Sequence, residues 1–289
     1  MSENLNTNKV HIVVLTWNNK TILKRCLESL ENINHKNNMY DYTNFTLNVI
    51  DNNSSDNSTE MIAKKFPKVN VIKNRKNLKF GAGYNSGLKK MNFHDDDFII
   101  LLNDDTIVSR DFIDELINPL LNDHKAIISV PKILFSSNIN KIWFAGGVVD
   151  LWRGLIYHIG IRDFDGPKYS FISETQYATG CCLCLRYIDL EKINFFDETF
   201  DMYCEDVDLS LKALQLNRKI IYAPKSVILH SVSQSLGEHS SKKNIMKLKN
   251  QLKLFWKHAT GIQLISISFY WVLFHLPYQF IRWLYLRKK

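Results

Sequence analysis

The sequence predicts an α/β protein built on a doubly wound, mixed sheet, followed by a helical C-terminal tail. Three observations predict it. Short apolar, β-branched runs alternate with helically spaced ones through the first 120 residues, the pattern of strands joined by crossover helices. Three of the apolar runs, VHIVVLT, TLNVI and IILL, stop abruptly in polar clusters. Parallel strands bring such ends to one rim, where open α/β sheets bind their ligands. Finally, 289 residues that are 45% hydrophobic can bury a substantial core.

The elements come in order. Residues 10–16 read as a buried strand, closed by Trp17-Asn18-Asn19 and followed by a helix over 21–30 with Ile22, Cys26, Leu27 and Leu30 at helical spacing. An Asn-rich linker leads to a strand over 46–50 that ends in Asp51-Asn52-Asn53-Ser54-Ser55-Asp56, with a helix on to Phe66 and a short strand over 69–72. In residues 79–87, KFGAGYNSG, the glycines predict close backbone approach to a ligand at a helix start. The run IILL fits a strand buried on both faces, ending in Asn103-Asp104-Asp105-Thr106. Carboxylates this close repel unless a cation neutralises them, and a hard divalent ion that also bridges phosphate oxygens would do so. The alternative is that Asp104, Asp105 or Thr106 caps a helix running through Phe112 to Leu120.

The second half changes character. Short apolar runs broken by Gly146-Gly147, Gly154, Gly160 and Asp165-Gly166-Pro167 predict a mixed or antiparallel portion that shapes a second binding site. Ala178-Thr179-Gly180 leads a buried strand, Phe196-Asp197-Glu198 gives a turn, EDVDL opens a helix at Glu205, and a last strand ends at His230. The spacing of Val207, Leu211 and Leu214 predicts that those three are buried and leaves Glu205, Asp206 and Asp208 free to face the rim, with capping or pairing the favoured role for Asp208.

The net charge of +8 is unevenly placed. From Lys242 onward there are ten Lys and Arg and no Asp or Glu; the preceding 241 residues hold 27 basic against 29 acidic side chains and carry −2. The body therefore lacks the basic surface that nucleic-acid binding needs, whereas a basic, aromatic-rich tail suggests an anionic membrane surface. Five cysteines, without paired CxxC motifs or a secretory leader, point to the reducing cytoplasm, with Cys181, Cys182 and Cys184 as small core residues and a zinc site as the alternative.

Strand-TWN, strand-DNNSSD, strand-NDDT and EDVDL, with a histidine about 25 residues later, together resemble the family 2 glycosyltransferases of the GT-A fold, especially rhamnosyltransferase-like enzymes. The resemblance spans about 10–230 and implies one domain over 1–240, with a nucleotide-sugar half (9–125) and an acceptor half (126–240). It implies that Thr16, Trp17 and Asn18 line a nucleoside, that Asp51 accepts from the base edge of a uracil or thymine beside Asn53, and that Gly81, Gly83 and Asn85 approach ribose or phosphate. It implies a donor contact for Asn103 and Asp104, and a Mg²⁺ or Mn²⁺ held by Asp105 and His230, although Asn103 departs from the family's acidic first position. Asp206 becomes the base, beside Glu205, in inverting transfer from a UDP- or dTDP-sugar to a glycan or lipid-linked acceptor. A sugar nucleotidyltransferase would normally carry an N-terminal glycine-rich loop, and 10–19 has no glycine. A non-catalytic sugar-nucleotide subunit of a membrane complex is the other alternative.

Residues 241–289 form the tail. Ile245, Leu248, Leu252 and Phe255 predict one apolar helical face flanked by Lys249, Lys253 and Lys257, as in a helix lying in an interface. The apolar stretch after Gly261 predicts a peripheral anchor on the inner face of the cell membrane, with a true span or packing on the body as alternatives. A chain ending near Ser240 would then remain soluble and still hydrolyse donor.

Overall fold

The computed structural model describes residues 8–33, 45–231 and 241–278. The Asn-rich linker and the tail beyond Tyr278, with Ile281, Arg282 and the closing basic triplet, lie outside them. The first half reads β1 (Val10–Thr16), α1 (Lys20–Glu31), β2 (Phe45–Asp51), α2 (Ser58–Lys65), β3 (Asn70–Lys73), α3 (Gly81–Leu88), β4 (Phe98–Asn103), β5 (Thr106–Val108) and α4 (Phe112–Asn122). The second adds β6 (Ala126–Phe135), β7 (Asn138–Phe144), β8 (Gly147–Asp150), β9 (Leu155–His158), β10 (Ser173–Thr175), β11 (Cys182–Arg186), α5 (Tyr187–Lys192), α6 (Glu205–Gln215), β12 (Lys219–His230), α7 (Ser241–His258) and α8 (Gly261–Tyr270).

The main sheet runs β10-β12-β6-β11-β4-β1-β2-β3, with β5 added beside β12 and β7 beside β6. Its first half is parallel, and the register sets Thr16 opposite Asp51 and Leu15 opposite Asn103, so the three polar clusters share one rim. β11 enters antiparallel between β4 and β6, which makes the sheet mixed. Strands β1, β4 and β6 are buried almost throughout, as continuous apolar runs must be when both faces are covered. All five cysteines are buried and unpaired.

Four expectations change. Helix α1 buries Leu23 with Cys26, Leu27 and Leu30, so its inner stripe starts one residue after Ile22. Asp104 and Asp105 do not cap a helix: they form a turn into β5, whose Thr106 pairs with His230 of β12, and α4 begins only after Asp111. The glycine segment is helix α3 itself, and its glycines meet protein. A Cβ on Gly83 would sit 2.7 Å from the Asn52 amide and one on Gly87 2.2 Å from Ile50, so the glycines let the helix settle on the end of β2. Asp208, left free to face the rim by its spacing, is completely buried, and there it takes the pairing role favoured for it.

The tail packs on the body. Leu254 and Phe255 of α7 are buried, and Asn250 donates to the Met202 and Tyr203 carbonyls. Lys253 donates to the Thr199 carbonyl, Lys257 pairs with Asp197 and Asp208, and His258 with Asp208. In α8, Ser266 donates to the Trp152 carbonyl, and just beyond it Trp271 donates to those of Arg153 and Gly154. Phe255 thus leaves the expected exposed face; Ile245, Leu248, Leu252 and Trp256 form it instead. Among the described residues, no helix is long and apolar enough to cross a membrane.

Candidate active site

The site is built where the three parallel strand ends meet the start of α6. At the first end, the Ser55 backbone N–H donates to Asn18 Oδ1 (2.7 Å) and the Asn18 N–H to Ser54 Oγ (2.9 Å), tying the turns after β1 and β2 together. Asn18 and Asn53 take left-handed backbone, which asparagine tolerates better than most residues, and Trp17 stands half exposed beside them. Asp51 is buried at the end of β2 and accepts the Ser54 N–H.

A cavity of about 630 Å³ opens over the carboxyl ends of β4 and β12. Asn103, Asp105, Glu205, Asp206 and His230 all line it. Asp104 does not: it turns toward β1, accepting from Thr16 Oγ1 (2.6 Å) and Asn19 Nδ2 (3.1 Å). Burial pushes the Asp104 carboxyl up to about 7 against those two bonds, and the charge of Asp105 adds to the push.

Sequence reading passed over Asn52 and Asn74. Both are buried; Asn52 donates to the Lys79 carbonyl and accepts from Asn74, which also reaches the Gly83 carbonyl. This amide pair fastens α3 to the rim. Asn85 is likewise committed, donating to the Phe196 carbonyl and Glu198. Gly81, Gly83 and Asn85 therefore hold α3 between the sheet and the 196 turn, and none of them lines the cavity.

Asp105 Oδ2 lies 3.3 Å from His230 Nε2, a contact made by the pairing of β5 with β12. Among the described residues, the other carboxylate oxygen, Oδ1, and His230 Nδ1 are buried without a partner. Trp143 meets the His230 ring edge-on at 4.5 Å between centroids. Orphaned polar atoms are costly inside a protein, and a carboxylate oxygen beside an imidazole is a donor set that a divalent cation satisfies. The residues present thus fit Mg²⁺ or Mn²⁺, with oxygens of a ligand completing the coordination. Among the described residues no group of three or more His, Cys, Asp or Glu is placed to hold a metal alone.

Across the cavity, Asp206 Oδ2 accepts the Gly180 N–H (2.8 Å) and Oδ1 accepts the Val207 N–H (2.9 Å). Glu205 is buried beside it with Oε2 unpartnered among the described residues, and burial followed by the neighbouring Asp206 charge pushes Glu205 up to about 8. Burial raises Asp206 too. Two adjacent carboxylates in one dry site do not both ionise, and the two backbone donors put the negative charge on Asp206 and the proton on Glu205. Just ahead of the pair, Tyr203 and Cys204 have φ of +74° and +72°. Two consecutive strained residues cost about 1–3 kcal/mol each and aim the first turn of α6 into the cavity.

The wall is aromatic. Trp143, Tyr157 and Tyr177 line it, while Trp152 lies outside and takes part in docking α8. His158 joins the wall; burial pushes its ring down to about 4, so it is neutral, with Nδ1 against the Trp143 carbonyl. Lys247 and Gln251 of α7 close the cavity, two residues the sequence assigned to a separate tail.

The family model described as "Glycosyl transferase family 2" matches residues 11–189. Rhamnosyltransferase WbbL of Escherichia coli (strain K12) is 23% identical over 76% of this chain and 83% of its own length. N-acetylglucosaminyl-diphospho-decaprenol L-rhamnosyltransferase of Mycobacterium tuberculosis (strain CDC 1551 / Oshkosh) is 21% identical over 65% of this chain and 66% of its own. Among solved structures, GalNAc-T7 with UDP, GalNAc and Mn²⁺ superposes with a TM-score of 0.65 at 18% identity, covering 86% of this chain and 48% of that one. The mannosyltransferase PcManGT of Pyrobaculum calidifontis, solved with GDP-Man and Mn²⁺, gives 0.59 at 13% identity over 93% and 71%. These structures share the fold.

Proposed function

The chain belongs to glycosyl transferase family 2, and on that premise we propose that it transfers a sugar, with inversion, from a nucleotide-diphosphate donor to a hydroxyl of a glycan or lipid-linked glycan. The observation that carries this reading is that Asp206, with its charge held by two backbone donors, faces the same cavity as the underused pair Asp105 and His230.

The nucleoside is read by the rim of β1 and β2. Trp17 offers an exposed ring for stacking, Thr16 orients Asp104, and Asp51 presents an acceptor to the N3–H of a uracil or thymine. Two relatives are named as rhamnosyltransferases, so a rhamnosyl donor on uridine or thymidine diphosphate is the first to test. Asp105 and His230 would hold Mg²⁺ or Mn²⁺, which when bound neutralises charge on the departing diphosphate. Asp206 takes the proton of the acceptor hydroxyl as that oxygen attacks the anomeric carbon; the raised affinity of its carboxylate for a proton suits it to the task. Glu205 keeps its proton and spares the site a second negative charge. Tyr157, Tyr177 and Trp143 form a stacking wall for the acceptor sugar. The exposed apolar face of α7 and α8 would rest on the inner face of the cell membrane, where a lipid-linked acceptor is presented.

A thermal-shift screen of UDP-, dTDP- and GDP-sugars with and without Mn²⁺ tests the reading. A metal-dependent rise in Tm with one pyrimidine donor is expected; stabilisation by none of the sugar nucleotides would overturn it.

A further inference from the structure

The cavity has an acidic floor and an aromatic wall, and Lys247 is the Lys or Arg that lines it among the described residues. Lys247 makes no hydrogen bond or ion pair with any described residue, whereas two other lysines of α7, Lys253 and Lys257, are spent on docking the helix to the body. Lys247 feels the charge of Asp206 across the cavity but touches no carboxylate, so its ammonium keeps its donors for an anionic ligand at the mouth. Helix geometry says what adjoins it. At about 100° per residue, Gln251 and then Leu248 follow Lys247 around α7, and beyond them come Leu252, Ile245 and Trp256. These last four are the apolar side chains that α7 leaves exposed, Trp256 at 78%. Within two turns the surface passes from a sugar-sized aromatic cavity to a free ammonium and on to an uncovered apolar strip. A sugar joined through phosphate to a long apolar chain presents the same three chemistries in the same order.

We propose that Lys247 is a specificity-determining residue that binds the phosphate of a lipid-diphosphate-linked acceptor, whose apolar chain runs over Leu248 and Leu252. The proposal rests on the transferase reading of Asp206 for the place of the acceptor sugar. The bound phosphate would sit beside α7 and the sugar would reach inward toward Asp206. The cation also offsets part of the repulsion that an anionic acceptor meets from the carboxylates on the floor.

Direct binding tests this without turnover. Farnesyl diphosphate below its micelle concentration, inorganic pyrophosphate and farnesol are titrated by calorimetry, with UDP and Mn²⁺ present to fill the donor site. The wild type should bind farnesyl diphosphate at least about tenfold more tightly than either fragment. Lys247→Ala should weaken it about tenfold, the loss expected for one charged hydrogen bond, and Lys247→Arg should stay within about threefold of wild type. Lys249→Ala removes the same charge outside the cavity and should bind normally. The proposal is overturned if Lys247→Ala binds like wild type, if Lys249→Ala loses as much, or if pyrophosphate binds as tightly as farnesyl diphosphate, which would mark a free-phosphate site. Failure of UDP itself to bind would count against the transferase reading, and is scored in a separate titration.

Discussion

Asp105 and His230, 125 residues apart in the chain, meet at 3.3 Å because β5 folds back onto the last residues of β12. Each keeps a buried polar atom without a partner, and the pair faces the cavity that also holds Asp206. The first prediction rests on this incompleteness. Asp105→Ala and His230→Ala should each abolish the Mn²⁺-dependent part of nucleotide stabilisation and lower transfer by at least about 10²-fold. Nucleotide stabilisation that is unchanged by both substitutions, or by chelator, would remove the metal assignment.

The arrangement at the start of α6 separates the two acids. Asp206→Asn keeps the shape and one carbonyl oxygen but cannot take a proton, so transfer should fall about 10²- to 10⁴-fold while donor binding survives. Glu205→Gln mimics the protonated acid already present and should cost far less. Steady-state kinetics with both variants decides; a dead Glu205→Gln beside a nearly normal Asp206→Asn would reverse the roles.

The third prediction concerns pH. Folded Glu205 holds its proton up to about pH 8, whereas the unfolded carboxyl releases it near 4.5. Between those values the folded state binds more protons than the unfolded one, so this group's contribution lowers stability as pH rises through the window. Wild-type Tm, measured in chelator, should therefore fall more steeply between pH 5 and 8 than that of Glu205→Gln, by a difference on the order of 1–3 kcal/mol in stability. Parallel pH profiles of the two proteins would show that Glu205 is not the group responsible.

The rim was legible in the sequence because strands buried on both faces read as unbroken apolar runs, and the residues after each run must lie at its carboxyl end. That logic placed Thr16, Asp51, Asn103 and Asp105 correctly on one edge. It could not tell which of two adjacent acids turns inward, since Asp104 is drawn to Thr16 and Asn19 by contacts that only the fold creates. The helix start at the glycines of α3 was legible, but not what they approach: glycine permits close approach to a ligand and to protein alike, and here the neighbours are Asn52 and Ile50. Helix α7 was misread for a different reason. A basic amphipathic helix has the same periodicity whether its polar face meets water or a buried carboxylate, and although pairing is the role the sequence favours for Asp208, nothing in it names Lys257 and His258 of α7 as the partners.

That partner yields the last prediction. Asp208 is fully buried one turn into the helix that carries Asp206, and it receives Lys257 (2.6 Å), His258 (2.7 Å) and Lys212 (3.6 Å). Its carboxyl is held below the ordinary range by those partners in spite of burial. Removing it leaves the buried His258 ring and the largely buried Lys212 without their shared carboxylate, while the more exposed Lys257 keeps Asp197, so Asp208→Ala should destabilise the protein by roughly 1–3 kcal/mol. The same network makes α7 part of the catalytic body. A chain ended near Ser240 would bare the Met202 and Tyr203 carbonyls, uncover the buried Asp208 and lose the Lys247 side of the cavity. Where the sequence suggested a soluble, active core, the structure leads us to expect a truncated chain with a much lower Tm and no transfer to acceptor. Calorimetric unfolding of the truncated and full-length chains, with transfer assayed on both, checks this. A truncated protein as stable and active as the whole would mean that the Asp208 cluster does not couple the tail to the site.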